Sequence, residues 1–204
     1  IDTIQVEELI AEADVQIIDS TYSGFLNMQI IDSRIHDFQM KNIQVISNFN
    51  EKTADNLFTF YASDSLNGSI LSEVQFSDNP SLYLKEIDID YLGDKWTGGS
   101  DTSYLKFRKD SIEINNLIFT SEESALKAGG IFAFRGSEDL HFEMQNFKLV
   151  SIPGLQIFPV SVSGIVNADI DLTGTAENPI MVGTIDILDP IVDTIRFSRF
   201  YADF

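Results

Sequence analysis

Cysteine is absent from this sequence, so it offers no disulfide framework, no thiolate metal site and no cysteine nucleophile. Positive charge is scarce. Thirteen Lys and Arg stand against 32 Asp and Glu, a formal charge of -19 at neutral pH. No short window holds more basic residues than the one with Lys106, Arg108 and Lys109. That excludes a phosphate-tracking nucleic-acid surface and argues against docking by charge on an anionic lipid surface. Apolar runs are short, and none approaches the ~20 residues a membrane-spanning helix needs. The chain opens at Ile1-Asp2 without Met or a basic-then-apolar leader, and it ends at Tyr201-Ala202-Asp203-Phe204. It is therefore expected to be a segment of a longer or processed chain, with any signal or anchor outside it. Helical patterning is nearly missing as well. In the single candidate window, residues 5–17, Val6, Leu9, Ile10, Ala13 and Ile17 fit helical spacing, but the same stretch also reads as a strand. Ser121-Glu122-Glu123-Ser124 looks like a helix start, yet the apolar run after it is too short to propagate one.

What the sequence does have is alternation. Hydrophobic residues make up 44% of it, ample for a core. Leu26, Met28 and Ile30 alternate with Asn27, Gln29 and Ile31, and Val166, Ala168, Ile170 and Leu172 with Asn167, Asp169 and Asp171. Period two with one apolar and one polar face predicts strands. Asn79-Pro80, Gly98-Gly99, Gly129-Gly130, Pro153-Gly154 and Asn178-Pro179 read as turns.

One pattern recurs: apolar-x-apolar, two polar residues, apolar-x-apolar. It runs Phe38 to Val45, Leu82 to Ile89, Ile112 to Phe119 and Phe142 to Leu149, with a fainter copy from Ile4 to Leu9. The doubled polar pair predicts a β-bulge, because one extra residue returns the second apolar set to the same face and bends the strand. Between the copies lie strands led by Gly24, Gly130, Gly164 and Gly183. Gly68 starts a looser version in which Ser72 breaks the alternation. The copies begin 44, 30 and 30 residues apart, too unevenly for a β-helix. The expected fold is all-β: a long antiparallel meander, one segment over residues 1–204, curled into a trough with an apolar interior. The alternative is a closed β-sandwich.

Four stretches carry a resemblance to a known family. They are Asp94-Lys95-Trp96 with Tyr104-Leu105-Lys106-Phe107; Ser111 through Leu117 leading to Ala128-Gly129; Glu138 through Phe142 running into Asn146 through Leu149; and Gly164 through Thr175, followed by Asn178-Pro179 and Gly183 through Ile187. In order and spacing they resemble the TamB family of the AsmA-like superfamily, in its Bacteroidota-like version, most clearly over residues 94–190. The first 90 residues share the rhythm, and the stretch from Pro190 to Phe204 shows no family pattern. The resemblance implies a taco-like β-trough in a periplasmic protein anchored in the inner membrane and reaching the outer membrane. It further implies a TamA- or BamA-type outer-membrane barrel as partner, and a role in phospholipid transport and outer-membrane assembly.

Enzymatic signals are weak. His36 and His141 are the only histidines and each stands alone in its strand; there is no Gly-x-Ser-x-Gly elbow. Asp88/Asp90 and Asp169/Asp171 sit two apart on polar strand faces, where solvation is the plain expectation and calcium the sharper one; the run after Asp88 misses the EF-hand spacing. Trp96 is expected to pack near a turn, and Asn67-Gly68-Ser69 matches a glycosylation triplet. No catalytic residue, metal or cofactor is expected. The candidate site is the apolar stripe, as a wall for acyl chains: Phe38, Met40, Ile43, Val45, Phe58, Phe60, Ile70, Val74, Phe76, Leu84, Ile87, Ile89, Ile112, Ile114, Leu117, Phe119, Phe132, Phe134, Phe142, Met144, Phe147, Leu149, Val166, Ile170, Leu172, Ile185 and Ile187. Open edges of such a segment are expected to pair with one another.

Overall fold

The chain is all-β and antiparallel throughout, a meander in which most strands pair with their neighbours in sequence. A computed structural model describes residues 4–35, 38–151 and 161–204. The chain divides into two compact units, Ile1–Lys106 and Phe107–Phe204.

The first unit holds β1 (Ile4–Ile18), β2 (Thr21–Ile35), β3 (Phe38–Asn50), β4 (Thr53–Ser63), β5 (Leu66–Gln75), β6 (Ser81–Tyr91) and β7 (Asp94–Gly98), hydrogen-bonded in that order. A short β8 (Tyr104–Phe107) lies across the unit boundary and pairs with β6, Leu105 opposite Leu82. The 5–17 window is a strand. Its alternate residues Leu9, Ala11 and Ala13 lie opposite Ile30, Met28 and Leu26 of β2, so the ladder takes up its backbone groups and aligns its apolar side chains. Among the described residues β1 has no partner on its other side, and residues 5–18 are all exposed.

The second unit holds β9 (Ser111–Thr120), β10 (Ala125–Ala133), β11 (Ser137–Lys148), β12 (Val162–Thr175) and β13 (Asn178–Val192), again in order. A turn of 3-10 helix, Leu149–Ser151, follows β11. The 121–124 stretch is the β9–β10 turn, closed by Ser121 N–H donating to the Ser124 carbonyl at 2.9 Å. The stretch after Pro190 is also strand: β13 runs through it to Val192, then β14 (Ile195–Arg196) and β15 (Arg199–Asp203) both fold back onto β13.

Three of the four recurrent patterns contain a bulge. Register shifts where residues 115–116 of β9 oppose β10, where 145–146 of β11 oppose β12, and at Lys85, the extra residue of β6 against β5. Asn116 and Asn146 take left-handed backbone angles, φ 51° and 47°. Asn tolerates this region because its short side chain hydrogen-bonds locally. At Asn146 the displaced groups find partners: its N–H donates to Asn167 Oδ1 at 2.9 Å, and its carbonyl accepts from Ser124 Oγ at 2.8 Å. At the β6 bulge the 99–103 loop supplies them: Leu84 N–H donates to the Ser103 carbonyl at 2.9 Å, and Ser100 N–H to the Leu84 carbonyl at 2.8 Å.

A further bulge lies in β13, where register against β12 shifts between Ser163 and Ile165. Asp189 there has φ 46° and is followed by Pro190, whose missing N–H a bulge tolerates. The first copy corrects the expectation. β3 keeps one register with β2 from Asn50 to Phe38, without a shift, and the left-handed residue is Asp32 of the neighbouring strand, φ 47°. The glycines correct it too. Gly24, Gly130, Gly164 and Gly183 sit inside strands rather than at their starts, where neighbouring backbone comes close.

Within each unit, every substantial contact between strands is between ladder neighbours. Among the described residues, no second layer of strands packs on either face of either unit's sheet. The consequence shows in the area. The accessible surface is 13119 Å², whereas a compact chain of 22.9 kDa exposes about 9,600 Å².

Candidate functional site

Opposed residues of an antiparallel ladder point to the same side of the sheet, so the register sorts side chains into faces. In the second unit the result is a nearly unbroken apolar face. One row runs Ile114, Gly130, Leu140, Leu172, Met181 across β9 to β13. The next runs Leu117, Ala128, Phe142, Ile170, Gly183, and the next Phe119, Leu126, Met144, Ala168, Ile185, Ala202. Phe147, Val166, Ile187 and Phe200 form a fourth row beyond the bulge. The bulges keep these rows continuous: in a regular strand Met144 and Phe147, three residues apart, would face opposite sides. Leu149, Val166 and Ala168 are buried at its centre, with Met144, Val162, Ile170, Ile185 and Ile187 packed around them. Ile112 pairs with Phe132 at the margin. Phe134 lies just past the end of β10, exposed, its ring edge-on to Phe132 at 5.4 Å.

The first unit has a matching face. Leu9, Ile30, Ile43, Phe60, Gly68, Ile89 and Trp96 form one row. Ala11, Met28, Val45, Phe58, Ile70 and Ile87 form the next. A third, beyond one further row, is Val15, Gly24, Phe49, Ala54, Val74, Leu82. The row between differs: Leu26, Ser47, Asn56, Ser72, Leu84. The face is thus interrupted by three polar residues on β3, β4 and β5. Trp96 is buried opposite Ile89.

All the nominated stripe residues on β4 to β6 and β9 to β13 fall on these two faces. The exceptions are few. Met40 is buried opposite Ser33, beyond the left-handed Asp32 of β2. Phe76 lies past the end of β5 and is exposed. The side chain of Phe38, and His36 as a whole, lie outside the described residues. Sequence reasoning missed the β1 contribution, Trp96, Leu126, Leu140, Met181 and Phe200. Alternation in β1 and β10 carried that signal; for Phe200 only the pairing of β15 reveals it.

The opposite face is polar and acidic. In the second unit it carries Lys127–Glu143 at 3.0 Å and Arg199 on both oxygens of Asp186 at 2.6 and 2.9 Å. The hydrogen bond from Lys127 holds the Glu143 carboxyl below its usual range, and that from Arg199 does the same for Asp186. His141 Nδ1 stands 2.9 Å from Asp171 and 3.8 Å from Asp169. Its hydrogen bond to the Asp171 carboxylate raises the imidazole pKa above the ordinary value, against an opposing desolvation effect. These three residues have ligand atoms within 4.8 Å of one another and are all exposed. Asp88 is neutralised by Lys95 at 2.9 Å in the first unit. On that unit's polar face Gln29 donates to Asn42 and Gln44 to Asn27, both at 3.0 Å.

Compared with known proteins, the chain matches no family model, no curated protein and no solved structure.

Proposed function

We propose that the chain is a non-enzymatic segment of a TamB-like lipid conduit, its apolar face taking the acyl chains of phospholipids. The observation that supports this is the uncovered face: in each unit a single layer of strands presents ordered rows of Phe, Ile, Leu, Val and Met that no second layer among the described residues roofs. Apolar surface left to water is unfavourable by about 25 cal/mol per Å², and an acyl chain gains ~0.8 kcal/mol for each methylene it buries. A wall of rows without one deep pocket lets a chain slide. The bulges bend the strands so that the apolar side is the concave one, while the acidic face keeps the outside in water. In this role the parent protein sits in the periplasm, anchored in the inner membrane, and delivers lipid toward a TamA- or BamA-type outer-membrane barrel.

The test is mass spectrometry of organic extracts of the purified protein, combined with charge substitutions on the face. Phospholipid or fatty acid in stoichiometric amount is expected, and Phe119→Glu and Val74→Arg should abolish it while leaving the circular dichroism spectrum intact. Folded variants that still carry lipid and still support outer-membrane integrity in cells would overturn the proposal. A lipid-free, cooperatively folding monomer would favour a closed β-sandwich binding module instead.

A further inference from the structure

We propose that His141, Asp169 and Asp171 form a binding site for a transition-metal dication of the Zn²⁺ class on the polar face of the second unit; the site is independent of the acyl-chain role above. Its frame is the β11–β12 ladder. His141 opposes Asp171, and Asp169 lies two residues before Asp171 on the same strand, so all three side chains leave the sheet on one side. Two paired strands, rather than a loop, set the spacing of the three groups.

The distances suit a single ion. His141 Nδ1 is 2.9 Å from Asp171 Oδ1 and 3.8 Å from Asp169 Oδ1, and the three ligand atoms lie within 4.8 Å of one another. Nitrogen and oxygen ligands of a tetrahedral Zn²⁺, each about 2.0–2.2 Å from the ion, stand roughly 3.4 Å apart. The observed separations lie on either side of that value, so a small rotation of exposed side chains closes the set. A neutral imidazole keeps its hydrogen on Nε2 and coordinates through Nδ1, where the ion takes the place of the hydrogen bond to Asp171.

The donor set selects the class of ion. Two carboxylates two apart on a strand are by themselves a solvated surface, as at Asp88 and Asp90, where Lys95 reaches Asp88 at 2.9 Å. At Asp169 and Asp171 an imidazole stands where that ammonium would be. One imidazole nitrogen with two carboxylates suits Zn²⁺, Ni²⁺ or Cu²⁺, whereas Ca²⁺ and Mg²⁺ take oxygen ligands. Nearby cations are committed elsewhere, Lys127 to Glu143 at 3.0 Å and Arg199 to Asp186 at 2.6 Å. Space is open on both sides. Gly129 of β10 opposes His141 without a side chain, and a Cβ there would meet nothing closer than 3.8 Å. Beyond β12, Asp169 lines a cavity of about 450 Å³ together with Asn167, Thr184, Asp186 and Tyr201. Three protein ligands leave a coordination position for water, and the cavity gives that water room.

The experiment is calorimetric titration of the 204-residue protein with ZnCl₂ and, separately, with CaCl₂, alongside NMR of the imidazole ring signals. One Zn²⁺ per chain is expected, with the His141 signals shifting at the same stoichiometry. His141→Ala and Asp169→Asn/Asp171→Asn should each weaken Zn²⁺ about tenfold or more. His36→Ala removes the other histidine, assigns the ring signals and should leave the affinity unchanged. Ca²⁺ should bind His141→Ala as it binds the unaltered protein. Circular dichroism checks that each variant keeps its strands, and the NMR shift on the unaltered protein needs no variant at all. Zn²⁺ affinity that survives in His141→Ala, or His141 signals that stay in place as Zn²⁺ is added, would mean that the acidic surface at large holds the ion, and the site would be wrong. Absence of measurable Zn²⁺ binding would overturn it as well, and in every case the acyl-chain role stands or falls separately.

Discussion

The glycine pair at 129–130 in β10 offers an internal control for the close strand approach on which the apolar face depends. Gly130 has φ 113°, a region that side-chain-bearing residues rarely adopt, and a Cβ built on it would lie 2.0 Å from the Asp139 carbonyl oxygen of β11. That neighbour is backbone and cannot swing away. Gly129 is different: its Cβ would meet only the Ile114 carbonyl oxygen, at 3.8 Å, an ordinary contact. Gly130→Ala therefore combines a disfavoured backbone angle, about 1–3 kcal/mol, with forced separation of two paired strands, about 1–3 kcal/mol more. A loss near 3 kcal/mol is expected, in the part of the chain formed by the second unit. Gly129→Ala should be neutral or stabilising by up to about 1 kcal/mol, since it narrows only the unfolded ensemble. Urea titration followed by far-UV circular dichroism compares the two, and hydrogen exchange assigns any loss to β10 and β11. Equal stability of both variants would refute the strand approach described at this bulge.

The bulge at Asn146 is held by two side chains, so Ser124→Ala and Asn167→Ala should each lower stability by about 1 kcal/mol, read by the same titration, and the double variant should show coupling because both act on one residue. His141 should titrate by NMR above the ordinary value of about 6.5, and Asp171→Asn should bring it back down. Because its folded-state pKa is the raised one, the stabilisation this ion pair contributes is complete below the unfolded value and is lost as pH rises through the folded one; stability that increases over that window would contradict the pairing. The free edge of β1 carries Glu7, Glu8, Glu12 and Asp14 and no basic residue, so raising ionic strength should promote edge association in sedimentation experiments, and an unchanged monomer at high salt would count against an accessible edge.

Much of this architecture can be read from residue order, because a meander is built from local alternation. Doubled polar pairs announced the bulges at Lys85, Asn116 and Asn146, each time because an extra residue is the one way to keep Ile87, Leu117 or Phe147 on the side of the residues before it. The same rule misled at Lys41-Asn42, where the irregular residue, Asp32, belongs to the preceding strand and leaves no mark in the copy itself. It missed Asp189-Pro190, where proline hid the pattern. Residues 5–17 satisfied helical and strand spacing alike, and only the partner strand decides between them. The polar row is the clearest case of what pairing adds. Ser72 reads as a defect in the alternation of β5, and Ser47 and Asn56 each look incidental in their own strands. Their alignment exists only once three registers are known.

Because contacts within each unit join strands that are adjacent or nearly adjacent in sequence, assembly needs no distant segment to arrive. Each new hairpin finds its template already laid down. The loop each one closes is short, so the entropy of closure stays small at every step. A chain of this kind can zip up progressively from one end, and losing its last hairpin should leave the preceding ones standing, much as removing a tile from the end of a row leaves the row.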